Sequence, residues 1–78
     1  MTWNYRIIAD DSGGDIMFSV CEVYYDDNGN PESYTYPQKV ITETTPDIET
    51  TLRWMLKATK KDVLWGGDRF PQVFKKKN

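Results

Sequence analysis

The stretch that decides the fold of this chain is residues 16–36, with the sequence IMFSVCEVYYDDNGNPESYTY. Its first half combines β-branched and aromatic side chains, which favours a strand. The pair Asn28-Gly29 then predicts a two-residue type I′ hairpin turn, because both central positions of that turn have positive φ. Residues 32–36 are the predicted returning strand, and Pro37 ends it because proline cannot donate to a strand ladder.

A further strand and a helix flank this hairpin. The Trp, Tyr and Ile side chains of residues 3–9 predict a strand before it, and residues 10–15 have the composition of a turn. After the hairpin, Thr44 or Thr45 can cap a helix in which Pro46 suits the first position. Apolar residues at helical spacing predict the buried face of this helix as Ile48, Leu52, Met55 and Leu56.

These elements predict a single α+β domain over residues 1–74, followed by a frayed basic tail at residues 75–78. The expected sheet is a three-stranded antiparallel meander, with one helix packed on one face and a C-terminal extension lying over the domain. The order β-β-β-α needs only short connections. A chain of 78 residues buries only ~60% of its unfolded surface, so binding a partner or a second copy would add stability.

The expected strand register sorts the side chains into two faces. In the first hairpin we expect Ala9 opposite Ile16, and in the second Val23 opposite Tyr34; cross-strand neighbours share a face. The first face then carries Trp3, Tyr5, Ile7, Phe18 and Val20. The second face carries Asn4, Arg6, Ser19, Cys21, Val23, Tyr34 and Tyr36. Because the first face is the more apolar, we expect the helix to dock there and the second face to contact water in part.

The composition excludes several kinds of chemistry. The chain has no histidine and a single cysteine, Cys21, which removes Ser-His-Asp and Cys-His catalysis, histidine-dependent zinc sites and an internal disulfide. Residues 26–30 differ from a calcium-binding loop because Pro31 occupies the position that requires glycine. We therefore predict a protein that is not an enzyme and has no catalytic, metal-binding or cofactor-binding residues.

Charge is distributed unevenly along the chain. The net charge of -2 divides into -8 over residues 1–52 and +6 over residues 53–78. This pattern is typical either of a solvated charge distribution or of a basic arm that meets an anionic partner. No apolar run approaches the ~18 residues of a spanning helix, and the N-terminus lacks the order of a signal peptide. With a single cysteine, these features predict a cytoplasmic protein with no membrane partner.

Trp54 points away from the apolar face of the predicted helix. Either the C-terminal segment covers it through Trp65, Phe70 or Phe74, or it belongs to a partner-binding patch, since Trp is enriched at interface centres. We predict a small interaction or regulatory module that binds an unidentified protein partner or forms a homodimer. The residues expected to contact the partner are Tyr34, Tyr36, Trp54 and Arg6.

The alternative function is weak nucleic-acid binding by the basic C-terminal segment. Residues 53–78 interleave basic side chains with four of the aromatic residues, and a basic groove with stacking aromatics is typical of single-strand binding. The acidic residues 1–52 and the net negative charge would repel phosphates, which makes this the less favoured function. A third class is an acidic mimic of nucleic acid that inhibits a protein that binds DNA or RNA. The charge of -8 over residues 1–52 is only a modest density for such a mimic.

Four short motifs resemble a family of small bacterial proteins with no established activity, associated with cyanobacteria and their phages. The motifs are WNYR at residues 3–6, EVYYD at 22–26 before a glycine turn, an aromatic strand followed by proline, and RWML at 53–56. The resemblance covers residues 3–64 and implies no functional residue. A phage-type role would be to bind and inhibit a host protein. Family members often have His where this chain has Cys21, so no His-based role is implied for it.

Overall fold

The computed structural model describes residues 2–75. The elements are β1 (Thr2–Asp10), β2 (Met17–Tyr25), β3 (Pro31–Tyr34), α1 (Thr45–Ala58), β4 (Leu64–Trp65) and a short 3₁₀-helix (Gly67–Arg69). This part of the chain is an α+β fold in which one helix packs beside a curled, mixed sheet. The predicted fraying of residues 75–78 concerns a segment that lies, apart from Lys75, outside the described residues.

The sheet has four strands in the order β3-β2-β1-β4. The antiparallel pairing of β1 with β2 and of β2 with β3 confirms the predicted meander, but the predicted strand number is wrong. Ile8 and Ala9 pair in parallel with Leu64 and Trp65, and Leu64 in turn bridges Val73. A two-residue strand is too short to show a periodicity in the sequence. It forms because the free edge of β1 offers backbone groups that require partners.

The first hairpin is shifted by two residues from the expected register. Ala9 lies opposite Phe18 instead of Ile16. Side chains alternate with a period of two, so a shift of two residues moves no side chain to the other face. The predicted division into two faces is therefore confirmed for these strands, as is the expected pairing of Val23 with Tyr34.

The second hairpin turns through residues 26–30 and not through a two-residue type I′ turn. The N–H of Gly29 donates to the Asp26 carbonyl at 3.0 Å, and Asp26 N–H donates to the Asn30 carbonyl at 3.0 Å. Gly29 has a φ of 82°, whereas Asn28 keeps a negative φ, which is the pattern of a type I turn followed by a glycine bulge. The Asp26 carboxylate favours this longer turn, since its Oδ1 accepts from the N–H groups of Asn28 and Asn30 at 2.9 Å each.

The start of α1 confirms the predicted cap. Thr44 is the N-cap residue, and its Oγ1 accepts a hydrogen bond of 3.3 Å from the N–H of Asp47. Pro46 lies in the first turn, where its missing N–H leaves no donor unpaired. Asp47 also places a negative charge at the positive end of the helix dipole.

The predicted buried face of α1 is wrong in part. Leu52 and Leu56 are 50% and 62% exposed. The buried and half-buried side chains of the helix are Ile48, Thr51, Met55 and Ala58. Thr51 and Ala58 are small residues, which let a helix approach a sheet closely. A pattern of large apolar residues alone does not identify such positions in the sequence. The helix packs mainly against β1.

A buried cluster lies on the second face of the sheet, although this face also contacts water in part, as predicted, since Tyr36 is 88% exposed. Its members, all at most 3% exposed, are Ile8, Cys21, Val23 and Leu64. The C-terminal segment closes this face, because Phe70 packs against Tyr34 with ring centroids 4.8 Å apart. The helix lies on the other face, as expected, where it borders the side chains of Trp3 and Tyr5.

Candidate functional site

A groove of about 370 Å³ lies between β1 and α1. The residues lining it, which define the Trp3–Trp54 groove, are Trp3, Asn4, Tyr5, Trp54, Lys57 and Lys61. Trp3 is 45% exposed and Trp54 is 51% exposed. Both lysines are exposed as well. The groove therefore presents two large aromatic side chains and two ammonium groups to solvent.

The β1 wall of the groove is built by strand alternation. Trp3 and Tyr5 are two residues apart and so share a face of the sheet. Their rings meet edge to face, with centroids 5.3 Å apart and an interplanar angle of 89°, a favourable arrangement for aromatic quadrupoles. Glu22 lies directly opposite Tyr5 across the β1–β2 ladder. Burial raises the pKa of the Tyr5 phenol, and the charge of Glu22 adds to the shift.

The α1 wall follows from helical spacing. Trp54 and Lys57 are three residues apart and Lys61 follows four residues later, which places them on one side of the helix. Lys61 lies just beyond α1, where its N–H donates to the Ala58 carbonyl at 3.2 Å and prolongs the last turn. The groove thus takes its cationic rim from the C-terminal end of the helix, where positive charge complements the helix dipole.

Neither lysine of the groove is neutralised by the residues that the structure describes. Within residues 2–75, the salt bridges join Arg53 to Glu49 and Arg69 to Asp11. The cation–π contact in this part of the chain is made by Arg69, whose guanidinium lies 3.4 Å from the centroid of the Trp65 ring. The ammonium groups of the groove are therefore free to meet an anion.

Trp54 is open on its other side too. A depression of about 430 Å³ next to it is lined by Glu49, Thr50, Arg53, Trp54 and Lys57. The indole therefore stands as a ridge between this depression and the Trp3–Trp54 groove. A ring accessible from both sides has more surface to offer to another molecule than a ring at the rim of a single pocket.

The C-terminal aromatic residues pack on the sheet and not on Trp54, so the predicted covering of Trp54 is wrong. Phe74 lies edge-on to Trp65 with ring centroids 5.0 Å apart. Phe70 packs against Tyr34. The β4 pairing directs these rings to the sheet, because it holds the C-terminal segment at the β1 edge. The same packing partly buries Trp65, Phe70 and Phe74.

Two of the four residues expected to contact a partner are held inside the fold. Tyr34 is half-buried, and its Oη accepts a hydrogen bond of 2.6 Å from the N–H of Gly67. Arg6 donates from Nη1 to Tyr25 Oη at 3.0 Å and from Nη2 to the Asp62 carbonyl at 2.6 Å. The Arg6 bonds join β1 to β2 and to the chain after the helix, and both Arg6 and Tyr34 are half-buried.

The other two predicted residues are exposed but far apart in the fold. Tyr36 is 88% exposed and, together with Tyr34, lines a depression of about 490 Å³ on the second face. Trp54 lies on the first face. The structure therefore brings Tyr34 and Tyr36 to one depression but does not bring Trp54 and Arg6 to the same place. Sequence reasoning did not identify the residues that line the groove with Trp54. The signal that could have identified them is the predicted docking of the helix on the sheet face that carries Trp3.

Cys21 has the surroundings of a packing residue. It is 1% exposed, and burial raises the pKa of its thiol, an effect that the nearby Ser19 hydroxyl opposes. The distance from Ser19 Oγ to Cys21 Sγ is 3.5 Å. A buried thiol with a raised pKa is a poor nucleophile, because the thiolate is the reactive form.

Comparison with protein-family models, with curated proteins and with solved structures gave no match. The resemblance of the short motifs to a cyanobacterial and phage family therefore stays a prediction. Within residues 2–75, no group of three or more His, Cys, Asp or Glu side chains is placed to hold a metal ion. In the same part of the chain, no helix combines the length and the apolarity that crossing a membrane requires.

Proposed function

We propose that this protein is a non-enzymatic interaction module that binds a partner protein through the Trp3–Trp54 groove. The observation that carries the proposal is the presence of two half-exposed tryptophans, Trp3 and Trp54, along one open groove. Tryptophan is a frequent centre of protein interfaces, because a large and rigid ring buries much apolar area at a small entropic cost.

The magnitudes indicate that the interface extends beyond the two rings. Covering the exposed half of a tryptophan removes on the order of 100 Å² from water, which contributes about 2.5 kcal/mol. Two rings thus contribute about 5 kcal/mol, near the lower end of the ~4–15 kcal/mol that association costs. A stable complex therefore needs a surface of about 800 Å² per partner, with the groove at its centre.

Two versions of this proposal follow from the sequence. The family resemblance favours a regulatory role in which the partner is a host protein that this chain binds and inhibits. Homodimer formation through the groove is the other version, and light scattering at several concentrations separates the two. A single cysteine held as a buried thiol supports a cytoplasmic location for either version.

The test is affinity capture from native cells with matched variants of α1. Trp54→Ala removes the ridge of the groove, whereas Leu56→Ala removes a side chain that is 62% exposed on the same helix and lines neither depression. We expect the wild type and Leu56→Ala to retain a common partner, and Trp54→Ala to retain at least tenfold less of it. If Trp54→Ala captures the same proteins in the same amounts, the groove is not the binding site. Circular dichroism of each variant shows whether it is folded.

Weak nucleic-acid binding is the second candidate function. The observation that favours it is the position of Lys57 beside Trp54, since a cation next to an open ring is typical of single-strand binding sites. A fluorescent single strand titrated at ~50 mM and ~200 mM salt tests it, because phosphate contacts weaken steeply with salt. No binding at the lower concentration, or binding that salt does not change, excludes this candidate.

A further inference from the structure

We infer that the Trp3–Trp54 groove binds an acidic peptide segment of the partner, in which an uncharged aromatic or aliphatic side chain enters the groove and flanking Asp or Glu residues meet Lys57 and Lys61. This inference rests on the proposed function and specifies the chemistry of the partner. It follows from the charges at the rim, the size of the groove and the charge behind its β1 wall.

The rim of the groove is cationic and unpaired. Within the described residues, Lys57 and Lys61 take part in no salt bridge and no cation–π contact. An exposed ion pair strengthens binding by up to about fivefold. Two such pairs contribute less than the aromatic rings, but they decide which of several apolar segments is preferred, because like charges at the same position oppose binding.

The interior of the groove suits an uncharged anchor. Its volume of about 370 Å³ lies in the range of sites that enclose a few large side chains or a small molecule. Glu22 lies opposite Tyr5 on the same face of the sheet, and its negative charge contributes to the raised pKa of that tyrosine. A carboxylate near the Tyr5 wall would be repelled, so the acidic groups of the ligand belong at the lysine rim and the apolar group belongs at the tryptophans.

Other occupants fit less well. The run Lys75–Lys77 of this chain has the same sign of charge as the rim. A nucleic-acid strand gains affinity from many phosphate contacts, whereas the groove supplies two ammonium groups, and the Glu22 carboxylate lies on the strand next to its Tyr5 wall. A second copy could offer its acidic turn at residues 10–15, but two of the three carboxylates of that turn are already engaged. Asp11 is paired with Arg69 at 2.6 Å, and Asp10 accepts hydrogen bonds from the N–H and the hydroxyl of Ser12.

The experiment selects ligands for the full chain from a displayed library of random twelve-residue peptides at ~50 mM salt. Four proteins are used in parallel: the wild type, Trp54→Ala, the double variant Lys57→Glu with Lys61→Glu, and Lys60→Glu as the matched control. Lys60 is exposed and adjacent in sequence but does not line the groove. The wild type and Lys60→Glu should enrich peptides with an aromatic or aliphatic residue between acidic ones. The double variant should enrich peptides of net positive charge.

One enriched acidic peptide is then synthesised and titrated, with tryptophan fluorescence as the signal. We expect at least tenfold weaker binding to the double variant and to Trp54→Ala, less than a twofold change for Lys60→Glu, and several-fold weaker binding at ~200 mM than at ~50 mM salt. A twelve-nucleotide oligothymidylate is titrated beside it, and tighter binding of this strand than of the peptide overturns the inference in favour of nucleic acid.

The outcomes separate this inference from the proposed function. If the wild type enriches neutral or basic peptides whose binding requires Trp54, the inference fails and the proposed function stands. If the enriched peptides are acidic but bind Trp54→Ala equally well, the groove is not their site and both fail. If the wild type enriches no peptide that the double variant does not also enrich, the inference fails. The capture experiment alone then decides the proposed function.

Discussion

Tyr34 Oη accepts a hydrogen bond of 2.6 Å from the backbone N–H of Gly67. Tyr34 ends β3 at one edge of the sheet, and Gly67 follows β4 at the other edge. The tyrosine side chain therefore spans the second face of the sheet and joins its two edges. Tyr34, which the sequence predicted as a partner contact, therefore packs against the buried cluster and holds the two edges together.

The first prediction concerns this hydrogen bond. Tyr34→Phe keeps the ring against Phe70 but leaves the N–H of Gly67 without its partner, so we expect a loss of about 0.5–1.5 kcal/mol in the free energy of unfolding. Urea denaturation measures it. Tyr36→Phe is the matched control, because Tyr36 is 88% exposed and should change stability little. Equal stability of the Tyr34 variant and the wild type would contradict a structural role for the hydroxyl.

The second prediction concerns the close approach of the chain at Gly66. A Cβ at this position would lie 2.8 Å from Ile8 Cγ2 and 2.8 Å from Tyr34 Oη. Both neighbours are held by the buried cluster, so we expect Gly66→Ala to lower the free energy of unfolding by about 1–3 kcal/mol. Gly13→Ala is the control, because a Cβ at Gly13 meets nothing within 4 Å. Similar denaturation midpoints for the two variants would show that the contact relaxes at no cost.

The third prediction compares two adjacent residues of α1. Met55 is 9% exposed, so Met55→Ala should lose about 2–4 kcal/mol of stability through lost burial and a cavity. Trp54→Ala should lose less, about 1–2 kcal/mol, because only half of its ring is buried and the alanine keeps part of that contact. Thermal and urea denaturation compare the two directly. A loss for Trp54→Ala as large as that for Met55→Ala would place Trp54 in the core and remove it from the binding surface.

The fourth prediction is a loss of stability at alkaline pH. Burial raises the pKa of Cys21 and of Tyr5, and a hydrogen bond to Glu22 raises the pKa of Tyr24. Each raised pKa means that the folded protein keeps a proton that the unfolded chain loses. The stability that these groups contribute is fully present below their ordinary pKa values, about 8.5 for a thiol and about 10 for a phenol, and is lost as the pH rises toward the folded values.

Urea midpoints measured between pH 7 and pH 10.5 check this dependence. The midpoint should stay level to about pH 8 and then fall. Cys21→Ala lowers the midpoint overall, but its decline should begin nearer pH 10, because only the tyrosines remain. Tyr36→Phe should leave the shape of the curve unchanged. A urea midpoint that increases as the pH is raised beyond 9 would contradict the raised pKa values.

Several short-range features of the fold could be predicted from the sequence, although the predicted turn type at Asn28-Gly29 is wrong. The cap at Thr44 depends on residues within one turn of it, and the strands on either side of Gly29 depend on local side-chain preferences. The two faces of the sheet were also correct although the first register was shifted, because a shift of two residues preserves the alternation. Of the candidate groove, the sequence indicated only Trp54 as a contact residue, since the other wall of the groove is about fifty residues away in the chain.

The amino-acid sequence by itself determined β1, β2, β3 and α1, and which side chains of β1 and β2 lie together. Both depend on interactions between near neighbours and on the two-residue period of a strand. Only the tertiary structure decided that β4 adds to the edge of β1, that Phe70 closes the second face and that α1 turns Leu56 to solvent. These outcomes depend on how well surfaces from distant parts of the chain fit together. Small residues such as Ala58 contribute to that fit, but they do not produce a recognisable apolar pattern in the sequence. The position of Trp54 opposite Trp3 is one result of this fit, and the proposed function depends on it.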